Sequence, residues 1–354
     1  MAYDLKGFKF DSRAFFSQEM KDAITAVRVD RPSIVQAEAM ARRRRTTLTT
    51  NGKLSILATD HPARRVTGVG SESFLMADRL GYLGRVLRVI AASEFDGVMG
   101  PTDIIEDLFI MNYLVRQGGG PSFLDNKVII GCMNRGGLAG AAFEMDDRMT
   151  SFTAESMARL GLDGAKIMFR LDIDNPDSLA TIDYCAQAIS DMNSYGLPTF
   201  LEPLPVRKEG VKYPVLKQAD ELARVAGVAS ALGDSSMNLW LKLPYADGYE
   251  RVANATTLPI LMLGGDAKGD PTPTLGEFAN GMKAGANVRG ALVGRNVLFP
   301  GDDDPMAVAM AIQKIVQEGI GADEAVEYLM SVRGQDMDWL SQYLCCDEGC
   351  CCGG

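Results

Sequence analysis

The chain has 354 residues, of which 47% are hydrophobic and 23% charged, and this is typical of a globular protein with a large core. Its formal net charge of −10 disfavours nucleic acid and anionic membranes as main partners, because both bind basic surfaces. The sequence contains no apolar run of 18 residues, so it predicts no membrane span, and the charged first 16 residues do not resemble a secretory signal. We therefore expect a cytoplasmic protein.

The first 50 residues predict a helical extension. Apolar residues recur at helical spacing around residues 14–28 and again over 33–45, where Ser33 takes the N-cap position. The second segment ends in four arginines, Arg42–Arg45. Because the chain is acidic and no aromatic residues are interleaved with these arginines, we interpret them as a solvated helix end rather than a nucleic-acid contact.

Eight apolar runs of strand length follow, separated by helix-like segments. The runs begin near residues 54, 96, 127, 164, 198, 239, 259 and 290. Their almost continuous apolar character is typical of strands buried on both faces of a parallel sheet. Eight βα units over about 250 residues predict an α/β protein with a (β/α)8 TIM-barrel fold. A doubly wound sheet would also alternate, but eight consecutive parallel runs favour closure.

No Ser/Gly-rich linker divides the chain, so the sequence predicts one barrel with terminal additions. We assign the N-terminal extension to residues 1–50, the barrel to 51–320, a C-terminal helical extension to 321–344 and a cysteine-rich tail to 345–354. The tail lacks the paired spacing of zinc ligands, so we interpret it as flexible and oxidisable. Soft-metal binding and a redox-linked contact are the alternatives.

In a TIM barrel the active site lies at the carboxyl ends of the strands. The polar or charged residues at these predicted ends are Asp60, His61, Asn134, Arg135, Lys166, Arg170, Asp172, Glu202, Lys242, Asp266, Arg295 and Asn296. Lysines and carboxylates that converge on one rim indicate a reactive pocket. Buried ion pairs that only stabilise the barrel are the alternative explanation.

Lys242 stands within the apolar stretch "NLWLKLPYAD", where a lysine is unexpected unless it is paired. Burial and the nearby charge of Lys166 would both disfavour the ammonium form. An amine that is neutral near pH 7 can attack a carbonyl and form a Schiff base. Asp60 or Glu202 could then accept the proton of a substrate hydroxyl.

Glycines at the last two strand ends predict an anion site. Gly264 and Gly265 follow the seventh apolar run, whereas Gly294 and Arg295 follow the eighth. TIM barrels often bind phosphate at this place, where unobstructed backbone N–H groups and an arginine are suitable donors. Tight turns that need positive φ angles are the alternative for Gly264 and Gly265.

His61 is the only histidine, so a site with several histidine ligands is excluded. Its position directly after Asp60 leaves both a structural and a functional role open. A magnesium site formed by Asp60, Glu202 and Asp266 also stays open, because Mg²⁺ prefers oxygen ligands.

Over about residues 50–320 the sequence resembles the class I aldolases of the DeoC/LacD group, which are Schiff-base TIM-barrel enzymes. It resembles more closely the barrel aldolases associated with myo-inositol catabolism clusters. The matching segments are "ILATDHPAR", "GAKIMFRLD", "FLEPLPV", "LWLKLPY", "LMLGGD" and "VGRNVL", and they occur in the same order. Two positions depart from the usual pattern: His61 replaces a frequent glutamine, and Gly264 replaces a common serine.

The resemblance implies a class I aldolase that needs no cofactor or metal ion. Lys242 would form the Schiff base, Lys166 would lower its pKa and contact the substrate, and Glu202 and Asp60 would move protons or orient hydroxyls. The residues predicted to bind substrate are His61, Arg170, Asn134, Gly264, Gly265, Gly294 and Arg295.

The substrate implied by the resemblance is 5-dehydro-2-deoxy-6-phosphogluconate, which would give dihydroxyacetone phosphate and malonate semialdehyde. Cleavage of a fructose, tagatose or sulfosugar phosphate is an alternative. A magnesium-dependent lyase or isomerase and a non-catalytic barrel that binds a sugar phosphate are the alternatives outside the aldolases. We expect a homo-oligomer, because such barrels commonly assemble.

Overall fold

Eight parallel strands form a closed barrel in the computed structural model, which describes residues 3–344. The strands are β1 (Leu54–Ala58), β2 (Gly97–Gly100), β3 (Val128–Cys132), β4 (Gly164–Leu171), β5 (Thr199–Pro205), β6 (Leu239–Pro244), β7 (Ile260–Leu263) and β8 (Val288–Val293). Each strand pairs with its neighbours in sequence order, and β8 pairs with β1. The predicted TIM barrel is confirmed.

Helices connect the strands and extend the barrel at both ends. They are α1 (Ser12–Phe15), α2 (Gln18–Asp30), α3 (Ile34–Ala41), α4 (Arg79–Ala92), α5 (Thr102–Gln117), α6 (Ala154–Leu160), α7 (Asp177–Ser194), α8 (Ala219–Ser230), α9 (Tyr249–Ala253), α10 (Thr272–Gly281), α11 (Arg295–Leu298), α12 (Pro305–Glu318) and α13 (Ala322–Val332). None of the helices among residues 3–344 is long and apolar enough to cross a membrane.

Two apolar layers explain why the strand sequences are so uniformly hydrophobic. The outer faces of the strands pack against the helices in one large cluster. The inner faces fill the barrel with a second, smaller cluster that includes Ile56, Ile130, Phe200 and Leu292. Because every strand is covered on both sides, its side chains are buried along almost the whole length.

The arginine run after α3 is a solvated helix end only in part, because Arg43 and Arg44 are exposed whereas Arg42 is buried and Arg45 half-buried. The helix stops at Ala41, and the guanidinium of Arg42 is buried against Asp163, with an N–O distance of 2.9 Å. Arg44 contacts the same carboxylate at 3.1 Å, and Arg45 contacts Asp96 at 2.7 Å. These pairs join the N-terminal extension to segments that directly precede β4 and β2. The Ser33 side chain does not cap α3, although Ser33 occupies the N-cap position.

The C-terminal extension is shorter than predicted. Helix α13 ends at Val332 and residues 333–343 form turns, so the regular helix of the extension predicted over 321–344 stops at Val332. Cys132 and Cys185 are free thiols buried in the core. The cysteine-rich tail over 345–354 lies outside the described residues.

Candidate active site

Four charged side chains form one connected cluster inside the carboxyl end of the barrel. Lys166 Nζ lies 2.8 Å from Asp60 Oδ2 and 3.0 Å from Glu202 Oε2. Lys242 Nζ donates to the same Glu202 oxygen at 2.9 Å. All four residues are buried, with Lys166 completely inaccessible and Lys242 only 5% exposed. The structure therefore brings together the four residues predicted to be catalytic.

Strand alternation explains why these polar groups meet. Lys166, Glu202 and Lys242 lie on the consecutive strands β4, β5 and β6 and share the inward-facing positions. Their neighbours, which include Ile167 and Leu241, belong to the cluster packed against the helices. Because side chains alternate between the two faces of a strand, an inward lysine beside outward apolar residues needs no irregularity in the strand.

The two lysines have opposite pKa shifts although they share one carboxylate. Burial lowers the pKa of Lys242, and the charge of Lys166 lowers it further against the opposing effect of Glu202. Burial also favours the neutral form of Lys166, but its contacts with Asp60 and Glu202 outweigh burial and raise its pKa. Lys166 is therefore the permanent cation of the cluster, and Lys242 is the amine that more easily becomes neutral.

The two carboxylates stay ionised in this setting. Burial alone would raise the pKa of Glu202, but Lys166 and Lys242 lower it to about 2. Burial likewise opposes ionisation of Asp60, yet Lys166 leads the contacts that hold its pKa well below the usual range. Both groups can therefore accept protons at neutral pH.

His61 lies at the edge of this cluster as a neutral, buried imidazole. Its Nδ1 is 3.8 Å from Asp60 Oδ1 and has no hydrogen-bond partner among residues 3–344. Burial holds the pKa of His61 well below its usual value, although Asp60 opposes this shift. The ring packs against Gly294, where an added Cβ would lie 2.5 Å from His61 Cε1. Gly294 thus provides room for the imidazole.

A cavity of about 210 Å³ adjoins Glu202, and we call it the cationic cavity after its four basic residues, Arg64, Arg170, Lys217 and Arg295. Arg170 is paired with Glu144, and Arg295 is paired with the mostly exposed Asp266. Arg64 and Lys217 have no ion pair among residues 3–344. Two of the four basic residues are therefore not held by an acid of the described chain, although the charge of Arg64 also acts on Asp60 and Glu202.

Sequence reasoning identified Arg170 and Arg295 but missed Arg64 and Lys217. Arg64 ends a short 3-10 helix that begins two residues after Asp60. Because the two residues are so close in sequence, the position of Asp60 at the rim could have pointed to Arg64 as well. Lys217 lies in the loop before α8, where no motif marks it.

Two different structural requirements explain why glycine occupies positions 264 and 265, directly after β7. A Cβ at Gly264 would lie 2.5 Å from Asn296 Oδ1, and the Asn296 amide donates to the Gly264 carbonyl at 2.8 Å. Gly265 has a φ of +76°, which favours glycine, and its position borders the cationic cavity near Lys217. Turn geometry therefore explains Gly265 and close packing explains Gly264, whether or not either contacts an anion.

Asn134 connects two strands. Its amide donates to the Met168 carbonyl at 2.7 Å and to Asp147 at 2.9 Å, and its Oδ1 accepts from the Met168 N–H at 2.8 Å. These three contacts use both donors of the amide, so the side chain supports the fold at the site. Asp172 similarly accepts from two loop N–H groups, those of Asp174 and Lys208.

The carboxylates do not form the magnesium site considered from the sequence. Asp60 and Glu202 are joined through Lys166, and Asp266 is held by Arg295. Among residues 3–344 no group of three or more His, Cys, Asp or Glu residues could hold a metal ion. The donor set therefore fits lysine chemistry better than cation binding.

A family profile described as Cgl0159-like matches residues 52–316, which is most of the barrel. The chain belongs to the Cgl0159-like family. The crystal structure of Cgl0159 from Corynebacterium glutamicum is 34% identical, with a TM-score of 0.79, and the alignment covers 86% of this chain and 99% of that one.

More distant relatives of this Cgl0159-like chain are named aldolases. An uncharacterised aldolase of Saccharolobus solfataricus is 30% identical over 142 residues, which is 39% of this chain and 48% of that protein, so the match spans about half of its length. A Schiff-base-forming fructose-1,6-bisphosphate aldolase is 20% identical with a TM-score of 0.50, covering 80% of this chain and 99% of that one. At that identity the likeness concerns the fold alone.

Proposed function

We propose that this protein is a class I aldolase that cleaves a ketose phosphate through a Schiff base on Lys242. The observation that carries the proposal is the pair of buried lysines on Glu202, of which Lys242 has a lowered pKa and Lys166 a raised one. A buried amine that loses its proton easily is the nucleophile this reaction needs. The aldolase name of the Saccharolobus solfataricus relative supports the same reaction class.

The reaction begins when the neutral Lys242 amine adds to the substrate ketone. The carbonyl oxygen leaves as water, and a protonated imine remains. A carboxylate, Glu202 or Asp60, then takes the proton of the hydroxyl on the second carbon from the imine carbon. The bond between that hydroxyl-bearing carbon and the carbon next to the imine breaks. Its electron pair moves to the iminium as an enamine, and the aldehyde product leaves. Protonation of the enamine carbon and addition of water release the ketone product and restore the amine.

Lys166 has a separate task in this scheme. Its ammonium group lies within 3.0 Å of both carboxylates, so it keeps them ionised at neutral pH. Its positive charge also lowers the pKa of Lys242 without competing for the substrate carbonyl, because Lys166 itself stays protonated.

The cationic cavity would hold the phosphate of the substrate. Arg64 and Lys217 are unpaired there, and Arg295 lies at the end of β8, where TIM barrels commonly bind phosphate. We propose 5-dehydro-2-deoxy-6-phosphogluconate as the first substrate to test, on the sequence resemblance to aldolases of inositol catabolism. Fructose, tagatose and sulfosugar phosphates are the next candidates.

Borohydride trapping tests the mechanism directly. The protein is incubated with dihydroxyacetone phosphate or a ketose phosphate, reduced, and mapped by peptide mass spectrometry. We expect a covalent adduct on Lys242 and none in a Lys242→Met variant. Lys127 provides an internal control, because burial lowers its pKa to about 8 but its amine donates to backbone carbonyls near the other end of the barrel. Binding without an adduct would instead favour a non-catalytic barrel.

A further inference from the structure

A second cavity adjoins the charged cluster on the side of β1, β2 and β3. It has a volume of about 290 Å³, and we call it the hydroxyl cavity after the side chains of Thr102, Thr150 and Ser151 in its wall. The remaining lining residues are Asp60, Ala63, Pro101, Asp103, Cys132, Asn134 and Arg135. The cavity therefore opens onto one of the two carboxylates of the cluster.

Several donors in this wall have no partner in the part of the chain that the structure describes. The hydroxyls of Thr102, Thr150 and Ser151 make no hydrogen bond among residues 3–344, and Arg135 makes no ion pair there. The acid in the outer wall, Asp103, is paired with Arg79 and does not neutralise Arg135. The wall is thus rich in free donors and holds one free positive charge.

The beginning of α5 adds to this character. Its first residues, Thr102 and Asp103, and the preceding Pro101 all line the cavity. No side chain caps this 16-residue helix, so the N–H groups of its first turn keep their bonding capacity. An uncapped helix N-terminus together with an unpaired arginine favours an anionic group.

The two cavities border different members of the charged cluster. Asp60 lies in the wall of the hydroxyl cavity, and Glu202 lies in the wall of the cationic cavity. Lys166 Nζ lies within 3.0 Å of a carboxylate oxygen of each. A substrate whose scissile bond lies over this cluster would therefore place one half in each cavity.

We propose that the hydroxyl cavity binds the aldehyde half of the substrate, and that this half carries a terminal anion held by Arg135, Thr150 and the first turn of α5. This inference rests on the proposed aldolase function and adds the place where the second product binds and the residues that hold its anion. A carboxylate or a phosphate would satisfy the same donors, and the volume accommodates a three-carbon aldehyde with either group.

The test uses the synthetic direction with dihydroxyacetone phosphate in excess. Three aldehydes are compared: malonate semialdehyde, glyceraldehyde 3-phosphate and neutral glyceraldehyde. We expect a lower KM for at least one anionic aldehyde than for glyceraldehyde. Arg135→Met should raise that KM about 10- to 100-fold, the range for a lost hydrogen bond to a charged group, and Thr150→Val should raise it less. The KM for dihydroxyacetone phosphate should stay within about twofold.

Arg224→Met is the matched control, because Arg224 is exposed on α8 and, in the described part of the chain, its one ion pair is with Glu221. The proposal is overturned if Arg135→Met raises the KM of all three aldehydes equally, changes none, or mainly raises the KM of dihydroxyacetone phosphate. Trapping on Lys242 without condensation of any of the three aldehydes would also overturn it. Failure of the aldolase function itself is distinguishable, because the wild-type protein would then give no adduct with dihydroxyacetone phosphate alone.

Discussion

Lys166 and Lys242 share one carboxylate oxygen, because the Nζ atoms of both residues lie within 3.0 Å of Glu202 Oε2. Lys166 has a second partner in Asp60 at 2.8 Å, whereas the one ion-pair partner of Lys242 among residues 3–344 is the shared Glu202. This difference in partners explains why the two buried lysines, which point inward from β4 and β6 on either side of β5, differ in pKa. It also predicts different consequences when either lysine is removed.

Replacing Lys242 with Met should abolish catalysis without weakening the fold. Without the amine no Schiff base forms, so we expect kcat to fall by at least about 10³-fold. Glu202 keeps its contact with Lys166, and Met fills a similar volume. The free energy of unfolding should therefore decrease by no more than about 1 kcal/mol, and an increase is compatible with the account. Steady-state kinetics and urea unfolding measure the two effects. A variant with normal turnover would place the nucleophile elsewhere.

Replacing Lys166 with Met should have a large cost in stability. The change leaves Asp60 without its closest cation and leaves Glu202 with Lys242 alone, in a fully buried setting. Removal of one partner from a buried ion pair typically costs about 3–5 kcal/mol, and we expect that range in urea unfolding. The double variant Lys166→Met, Asp60→Asn should recover part of the loss. A loss no larger than that of Lys242→Met would contradict this account.

The rate of borohydride trapping should rise with pH. The neutral fraction of Lys242 grows as pH passes its pKa, and because burial and Lys166 lower that pKa, the midpoint should lie below the ordinary 10.5. Lys166→Met removes a positive charge, so the midpoint should move to higher pH. Lys166→Arg keeps the charge and should leave it nearly in place. Equal midpoints in all three proteins would show that Lys166 does not tune the amine.

The barrel and the cluster were predictable because both depend on local sequence pattern. Strands covered on both sides need nearly continuous apolar runs, and any charged residue in such a run, as at Lys166 or Lys242, is conspicuous. The order of strands then places Glu202 between the two lysines. Neither inference needed knowledge of contacts between distant segments.

The errors and omissions concern contacts between residues that are far apart in sequence. The ion pairs of Arg42 and Arg45 were missed because their partners, Asp163 and Asp96, lie about 120 and 50 residues away. Lys217 was missed because the loop that carries it has no periodicity. Asn134 could be placed at the rim, but its bonds to β4 depend on exact strand register.

Acid should destabilise the protein partly through Glu202. Its pKa is about 2 in the folded protein and 4.5 ordinarily, so its ionised form stabilises the fold above pH 4.5, and this contribution is lost as pH falls toward 2. The shift corresponds to about 3 kcal/mol. Between pH 4.5 and 2 the wild type should therefore lose about 3 kcal/mol more of its free energy of unfolding than Glu202→Gln does. Urea unfolding of both proteins measures this difference. Parallel curves for the two proteins would contradict the assignment.

Gly294→Ala tests whether the His61 ring needs the space left by the glycine that follows β8. An added methyl group would lie 2.5 Å from His61 Cε1 and 3.0 Å from the Ala58 carbonyl, so the imidazole must move. We expect a loss of about 1–3 kcal/mol in the free energy of unfolding, as for overpacked cores, together with reduced turnover. His61→Ala in the Gly294→Ala protein should restore part of the stability, because it removes the contact with the ring. Recovery should be incomplete, because the added methyl group still lies close to the Ala58 carbonyl. If the double variant is no more stable than Gly294→Ala, the clash lies with the backbone and not with the ring.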